Sequence, residues 1–99
     1  MSDLVFLLSA DVDIQSAFEI YEEKQAGRGE LFMRHLEFAF TNLRSFPEMA
    51  PIHSGIYRRL LVPKYPYAIF YSIEGGRIIV CGVMNLRQDP EAISKRLEH

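Results

Sequence analysis

Residues 67–85, YAIFYSIEGGRIIVCGVMN, decide how this chain folds. Two strand-like runs, Tyr67–Ile73 and Arg77–Asn85, are rich in aromatic and β-branched residues and meet at Glu74-Gly75-Gly76. Glycine accepts the positive φ that a tight hairpin turn demands, so the two runs form a hairpin. The second run is apolar at successive positions from Ile78 to Met84 instead of at every other one, the pattern of a central strand covered on both faces. Tyr57–Val62, just upstream, is a third run of the same kind, and together the three make an antiparallel meander.

Upstream of the meander the period changes. Pro47 to Gly55 is polar and proline-containing and reads as a loop. From Glu30 onward Phe32, Leu36, Ala39, Leu43 and Phe46 recur at helical spacing, and the pattern stops before Pro47, which cannot continue a helical ladder. Ile14, Ala17, Phe18 and Tyr21 form an earlier stripe, with Glu19, Glu22, Glu23 and Lys24 opposite on a solvated face, and Gly27-Arg28-Gly29 separates the two helices into a hairpin. Leu4 to Leu8 is a short apolar strand leading to a helix N-cap at Ser9 or Asp11. At the other end Asp89-Pro90 reads as N-cap and first residue of a short helix through Arg96. The expected class is α+β: an N-terminal strand, a helical hairpin, a three-stranded antiparallel meander and a short C-terminal helix, with the hairpin on one face of the sheet.

A chain of 99 residues, 48% of them apolar, can bury one modest core, so residues 1–96 are expected to form a single domain. Leu97-Glu98-His99 resembles the start of a purification tag and is set apart from the fold. The apolar run from Ile78 to Met84 falls far short of the roughly 20 residues of a membrane span, and no basic segment precedes the first hydrophobic stretch. The expectation is a cytoplasmic protein without membrane contact. The one cysteine, Cys81, lies inside the apolar run and reads as a buried structural thiol.

Charge differs by halves. Residues 1–50 hold nine acidic and four basic side chains, whereas residues 51–96 hold three acidic and seven basic. The C-terminal half therefore suits an anionic partner, while the overall net charge of −2 disfavours indiscriminate coating of nucleic acid. Arg58 and Arg59 occupy adjacent strand positions and project to opposite faces; Lys64, Arg77 and Arg87 follow near strand ends, with Tyr57, Tyr65, Tyr67 and Tyr71 interleaved. Such a surface holds phosphates and stacks bases, or docks an acidic peptide; ordinary solubilising charge is the competing explanation. The second helix carries Leu31, Met33, Phe38 and Phe40 outside its main stripe, either as additional core against the first helix or as a contact for a partner. There is no phosphate-cradling glycine motif, no cysteine pair and no histidine pair at ligand spacing, His35 and His53 standing apart, so neither a metal nor a cofactor is expected.

Five segments, in this order, carry a resemblance: Tyr21-Glu22-Glu23 before the Gly-Arg-Gly break, Phe46-Pro47-Glu48, Tyr57-Arg58-Arg59-Leu60, Pro66-Tyr67-Ala68-Ile69-Phe70-Tyr71, and Asn85-Leu86-Arg87-Gln88-Asp89-Pro90. Together they resemble the RelE/ParE superfamily of bacterial toxins over essentially the whole chain. The resemblance implies a small α+β toxin of a toxin–antitoxin system, neutralised by an antitoxin that wraps across helices and sheet. RelE-type members cleave messenger RNA on the ribosome; ParE-type members, linked to plasmid stabilization, poison DNA gyrase.

Carried over residue by residue, the RelE catalytic set separates these branches. Its two strand lysines fall on Arg59 and Leu61, its first arginine on Ala68, its second on Arg87, and its terminal-helix tyrosine on Ile93. A histidine that acts in YoeB-like members falls on Asn85. What remains are two charges without a general base, and general acid–base help alone contributes about 10²–10⁴ in rate. The expectation is thus a ParE-like, non-enzymatic gyrase inhibitor. Its target-binding candidates are Arg58, Arg59, Lys64, Tyr67, Asn85 and Arg87, and its antitoxin-binding candidates are Leu31, Phe38 and Phe40, a surface that would also suit a homodimer. The alternatives are a ribosome-dependent ribonuclease using Arg59 and Arg87, or a decayed toxin retained only to bind an antitoxin.

Overall fold

The computed structural model describes residues 2–98. In chain order the elements are β1 (Asp3–Phe6), α1 (Leu8–Lys24), α2 (Arg28–Ser45), β2 (Ile52–Ser54), β3 (Tyr57–Leu61), β4 (Tyr67–Glu74), β5 (Arg77–Asn85) and α3 (Pro90–Leu97). They build a five-stranded sheet in the order β1-β5-β4-β3-β2. β1 runs parallel to β5, with Asp3 opposite Arg77 and Phe6 opposite Val80; every other pairing is antiparallel. The turn after Glu74 places Gly75 and Gly76 at φ +59° and +75°, the two positive values of a type I′ hairpin.

β5 is covered on both faces, as its unbroken apolar run requires. On one face the α1–α2 hairpin buries Phe32, Leu36 and Leu43 against Ile69, Tyr71, Ile78, Val80 and Val83. On the other, Ile93 and Leu97 of α3 close over Ala68, Phe70, Cys81 and Met84. Removing a Phe or Leu side chain fully from water stabilises by about 1.5–3 kcal/mol, so the hairpin face dominates cohesion. The β4–β5 ladder skips one residue: Phe70 faces Gly82 while Tyr71 faces Val80, leaving Cys81 as a β-bulge.

Several boundaries differ from expectation for identifiable reasons. The first strand ends at Phe6 and the helix begins at Leu8, with Leu7 at the N-cap making no side-chain cap. Ser9 is not the cap because its hydroxyl donates to the Cys81 carbonyl at 2.9 Å, serving the bulge. The glycine break is shorter than it reads: only Gly27, at φ +92°, breaks the path, and Gly29 lies within α2. Gly29 is where the two helices touch, since a Cβ there would stand 2.7 Å from the Phe18 carbonyl oxygen. Glu22 is not merely on a solvated face. Its carboxylate accepts the Gly27 N–H at 3.0 and 3.1 Å and the Gly29 N–H at 3.0 Å, capping α2 from α1.

Phe46, expected on the buried stripe of the second helix, is its C-cap residue and is 66% exposed. Phe40 is core instead, edge-on to Phe6 with ring centroids 5.0 Å apart. The expected 47–55 loop contains β2, a fully exposed edge strand with an irregular register, too short to show an alternating pattern. α3 is capped as its sequence implies, Asp89 accepting the Glu91 N–H at 3.0 Å with Pro90 first. It runs one residue beyond Arg96, to a buried Leu97; His99, the end of the suspected tag, lies outside the described residues. Among the described residues no helix is long and apolar enough to cross a membrane.

Candidate functional site

Strand register sorts the basic residues. Arg58 pairs with Tyr71, and Tyr71 belongs to the hairpin-side core. The Arg58 guanidinium donates to the Ala50 carbonyl at 2.8 Å and the Glu48 carbonyl at 3.4 Å, and the Tyr71 hydroxyl donates to the Pro47 carbonyl at 2.7 Å. These two side chains tie the 47–50 loop to the sheet, so Arg58 is committed to structure. Arg59 pairs with Phe70 and Leu61 with Ala68, which puts both on the α3 face. On that face the positions expected for a ribonuclease do come together, but as Arg59, an exposed Leu61, a fully buried Ala68 and a buried Ile93. Cys81 sits among them with its thiol donating to the Phe70 carbonyl at 3.2 Å, and burial pushes its pKa from 9.0 up to about 11.

Arg87 is elsewhere. With Tyr67, Asn85 and Gln88 it lines a cleft of about 450 Å³ at the C-terminal end of β5, between α1 and α3, completed by Asp13, Ser16 and Arg96. Asp13 holds this region together. Its carboxylate receives both Arg96 nitrogens, at 2.8 and 3.1 Å, and accepts the Val83 N–H at 3.0 Å. The hydrogen bonding of Arg96 to Asp13, ahead of the opposing effect of burial, raises the Arg96 pKa further. Gly82 leaves room for it, because a Cβ there would lie 3.2 Å from both the Asp13 and the Arg96 side-chain atoms. The Asn85 side-chain oxygen accepts the Arg87 N–H at 2.8 Å and fixes the turn leaving β5. Tyr67, only 6% exposed, packs with Phe32 and Tyr21 at ring-centroid distances of 5.3 and 6.1 Å. The Tyr21 phenol is raised, first by burial and then by the neighbouring Tyr67 and Tyr65, with Arg87 opposing.

A second surface runs along α2. A hollow of about 340 Å³ lined by Tyr21, Arg28, Leu31, His35, Lys64 and Tyr65 meets, at His35, an apolar one of about 220 Å³ lined by residues including Phe38, Met49, Leu61 and Pro63. Leu31 and Phe38, two of the three antitoxin candidates, are 49% and 69% exposed here; Phe40, the third, is withdrawn into the core. The six target-binding candidates therefore do not form one site. Tyr67, Asn85 and Arg87 share the β5 cleft, Lys64 borders the α2 groove, Arg59 lies on the α3 face and Arg58 anchors a loop. Asp13, Ser16, Gln88 and Arg96 escaped the sequence reading. The i,i+4 spacing of Ser9 and Asp13 on α1 was the one available signal, since nothing in sequence links Asp13 to Arg96 across 83 positions.

No family model and no curated protein matches this chain in sequence. Among solved structures, a chain described as "Chromosomal ParDE TA system from P. aeruginosa" superposes with a TM-score of 0.77 at 13% identity, covering 86% of this chain and 96% of that one. At such identity the likeness is one of fold. This chain therefore has the α+β fold of that ParDE system chain.

Proposed function

We propose that this protein is the toxin of a toxin–antitoxin pair and that it acts as ParE-like toxins do, by binding DNA gyrase in the cytoplasm and not by cleaving RNA. One observation carries the choice between branches. Where a ribonuclease would need ionisable groups on the α3 face, the chain has Leu61, Ala68 and Ile93 around a protonated thiol, and Arg87 lies in a different cleft. Arg59 keeps one charge of that set there, and the imidazole and phenol that border the same face, His53 at 5.6 Å from the Phe70 ring and Tyr57, stand at none of the positions the resemblance assigns to catalysis. In this reading the antitoxin docks along α2, supported by exposed Leu31 and Phe38 bordering an apolar trough and by Arg28 and Lys64 offering positive charge at one end. The fold shared with the ParDE system chain supports the same reading.

Induced expression in a bacterial host carrying a DNA-damage reporter tests it. Growth arrest with strong reporter induction is the expected outcome. Arrest with cleaved messenger RNA and a silent reporter would transfer the protein to the ribonuclease branch, and unimpaired growth would make it an antitoxin-binding module without toxicity.

A further inference from the structure

The outer edge of β5 is only partly covered. β1 pairs with it as far as Val80, yet β5 continues to Asn85, so its last five residues have no strand on that side. Side chains take over for part of this length: the Cys81 carbonyl accepts from Ser9, and the Val83 N–H is received by Asp13. Backbone groups of a strand alternate in direction. The Leu86 N–H points inward, to the Pro66 carbonyl at 2.7 Å, and the Tyr67 carbonyl points away from β5, to the Val62 N–H at 2.9 Å. The N–H and C=O of Val83 and of Asn85 therefore face the cleft. Two of these four groups are taken, the Val83 N–H by Asp13 and the Asn85 carbonyl by the Gln88 N–H at 3.3 Å. The Val83 carbonyl and the Asn85 N–H are left, with no partner among the described residues.

That pair of vacancies is directional. An antiparallel neighbour bonds to the N–H and C=O of one and the same residue, and at both Val83 and Asn85 one of the two is occupied. A parallel neighbour bonds instead to the C=O of one residue and the N–H of the residue two further on, which are the two groups that remain. The cleft also holds a phenol and a cation without partners among the described residues. Tyr67 is more than nine-tenths buried and lines the cleft, its hydroxyl in no hydrogen bond among the described residues, while Arg87 enters no ion pair among them, Asp13 being taken by Arg96.

We infer that this cleft docks an extended acidic peptide segment of another protein, which adds to the sheet as a short strand parallel to β5. One residue of the segment sits opposite Met84, giving its N–H to the Val83 carbonyl and accepting the Asn85 N–H. The next residue lies level with Asn85, on the face that Tyr67 shares through its pairing with Asn85 and in the cleft that Arg87 also lines, and an aspartate or glutamate there accepts from both. A single unpaired cation matches a single carboxylate. The inference stands on this edge alone and holds or fails whether or not the protein is a toxin.

The test uses the full chain, isotope-labelled, titrated with blocked hexapeptides of alternating valine and threonine that carry one glutamate, against counterparts with glutamine. Expected are amide shifts confined to the cleft, slowed hydrogen exchange at the Asn85 N–H, and about 10- to 100-fold weaker binding of the glutamine peptide. Arg87→Gln and Tyr67→Phe, which remove a surface charge and one unbonded hydroxyl, should each weaken the glutamate peptide while leaving the spectrum folded. A spin label at the peptide's N-terminal end should broaden resonances toward the Cys81 end of the edge, and one at its C-terminal end those near Arg87. Equal binding of both peptides, the reverse label pattern, shifts located elsewhere or no binding at millimolar peptide would each overturn the inference. So would a short oligonucleotide that binds at Arg87 where the peptides do not.

Discussion

Asp13 is the side chain on which the most depends for its size. One carboxylate satisfies a backbone N–H at the end of an uncovered strand edge and neutralises Arg96 on the far side of that edge. Asp13→Ala is expected to cost about 2–3 kcal/mol in urea unfolding, because it strands a charge and an edge amide together. Arg96→Met should cost less, since Asp13 keeps the Val83 N–H. Cys81 makes a prediction of a different kind. Its thiol is held protonated to about pH 11 in the folded chain against an ordinary 9, so the folded state binds the proton more tightly. Its contribution to stability is intact below pH 9 and is lost as pH rises from 9 towards 11. Tyr21 and Tyr71, both raised chiefly by burial, act in the same direction. The alkaline loss of stability measured by circular dichroism should accordingly be shallower in Cys81→Ala than in the parent, and an identical slope would disprove the assignment to Cys81.

At the scale of elements, the helical hairpin depends on one close approach and one borrowed cap. Gly29 allows α2 to lie against the Phe18 backbone, and Glu22 of α1 supplies the acceptor that the N-terminus of α2 lacks, its N-cap Gly27 having no side chain. Gly29→Ala must push the helices apart against a carbonyl that cannot swing away, with an expected loss of about 1–3 kcal/mol. Gly27 meets no such obstacle and answers instead to its φ of +92°. Comparing thermal midpoints of the two alanine variants, with the Gly29 variant also losing near-ultraviolet ellipticity from the Tyr21–Phe32 stack, separates packing from backbone strain. The hairpin was legible in sequence because apolar residues at helical spacing and a glycine break leave few alternatives. β2 was not, because a three-residue exposed strand has no period to read.

For the whole molecule, α1 and α3 grip β5 from opposite faces through Asp13 and Arg96, which joins the two apolar clusters into one mechanical unit. Unfolding followed by far-ultraviolet ellipticity and by tyrosine fluorescence is expected to give coincident transitions; separate midpoints would mean that α3 releases first. The C-terminus enters the same argument. Leu97 is 7% exposed and packs with Ile93 against Met84, so a chain ending at Arg96 should lose about 1.5–3 kcal/mol. A neutral truncation would return Leu97 to the suspected tag. The α2 groove and the β5 cleft share no lining residue and are separate surfaces.

The amino-acid sequence by itself determined the class, the element order and the buried stripes, because periods of 2 and 3.6 residues, glycine at positive φ and proline at helix ends act over a few neighbouring positions. Only the tertiary structure decided which arginines act together. Arg58 and Arg59 are neighbours in sequence yet lie on opposite faces of the sheet, whereas Asp13 and Arg96, 83 positions apart, form one ion pair. Local periodicity carries no information about such pairings, which are set by strand register, by the Cys81 bulge and by where β1 stops short of the end of β5.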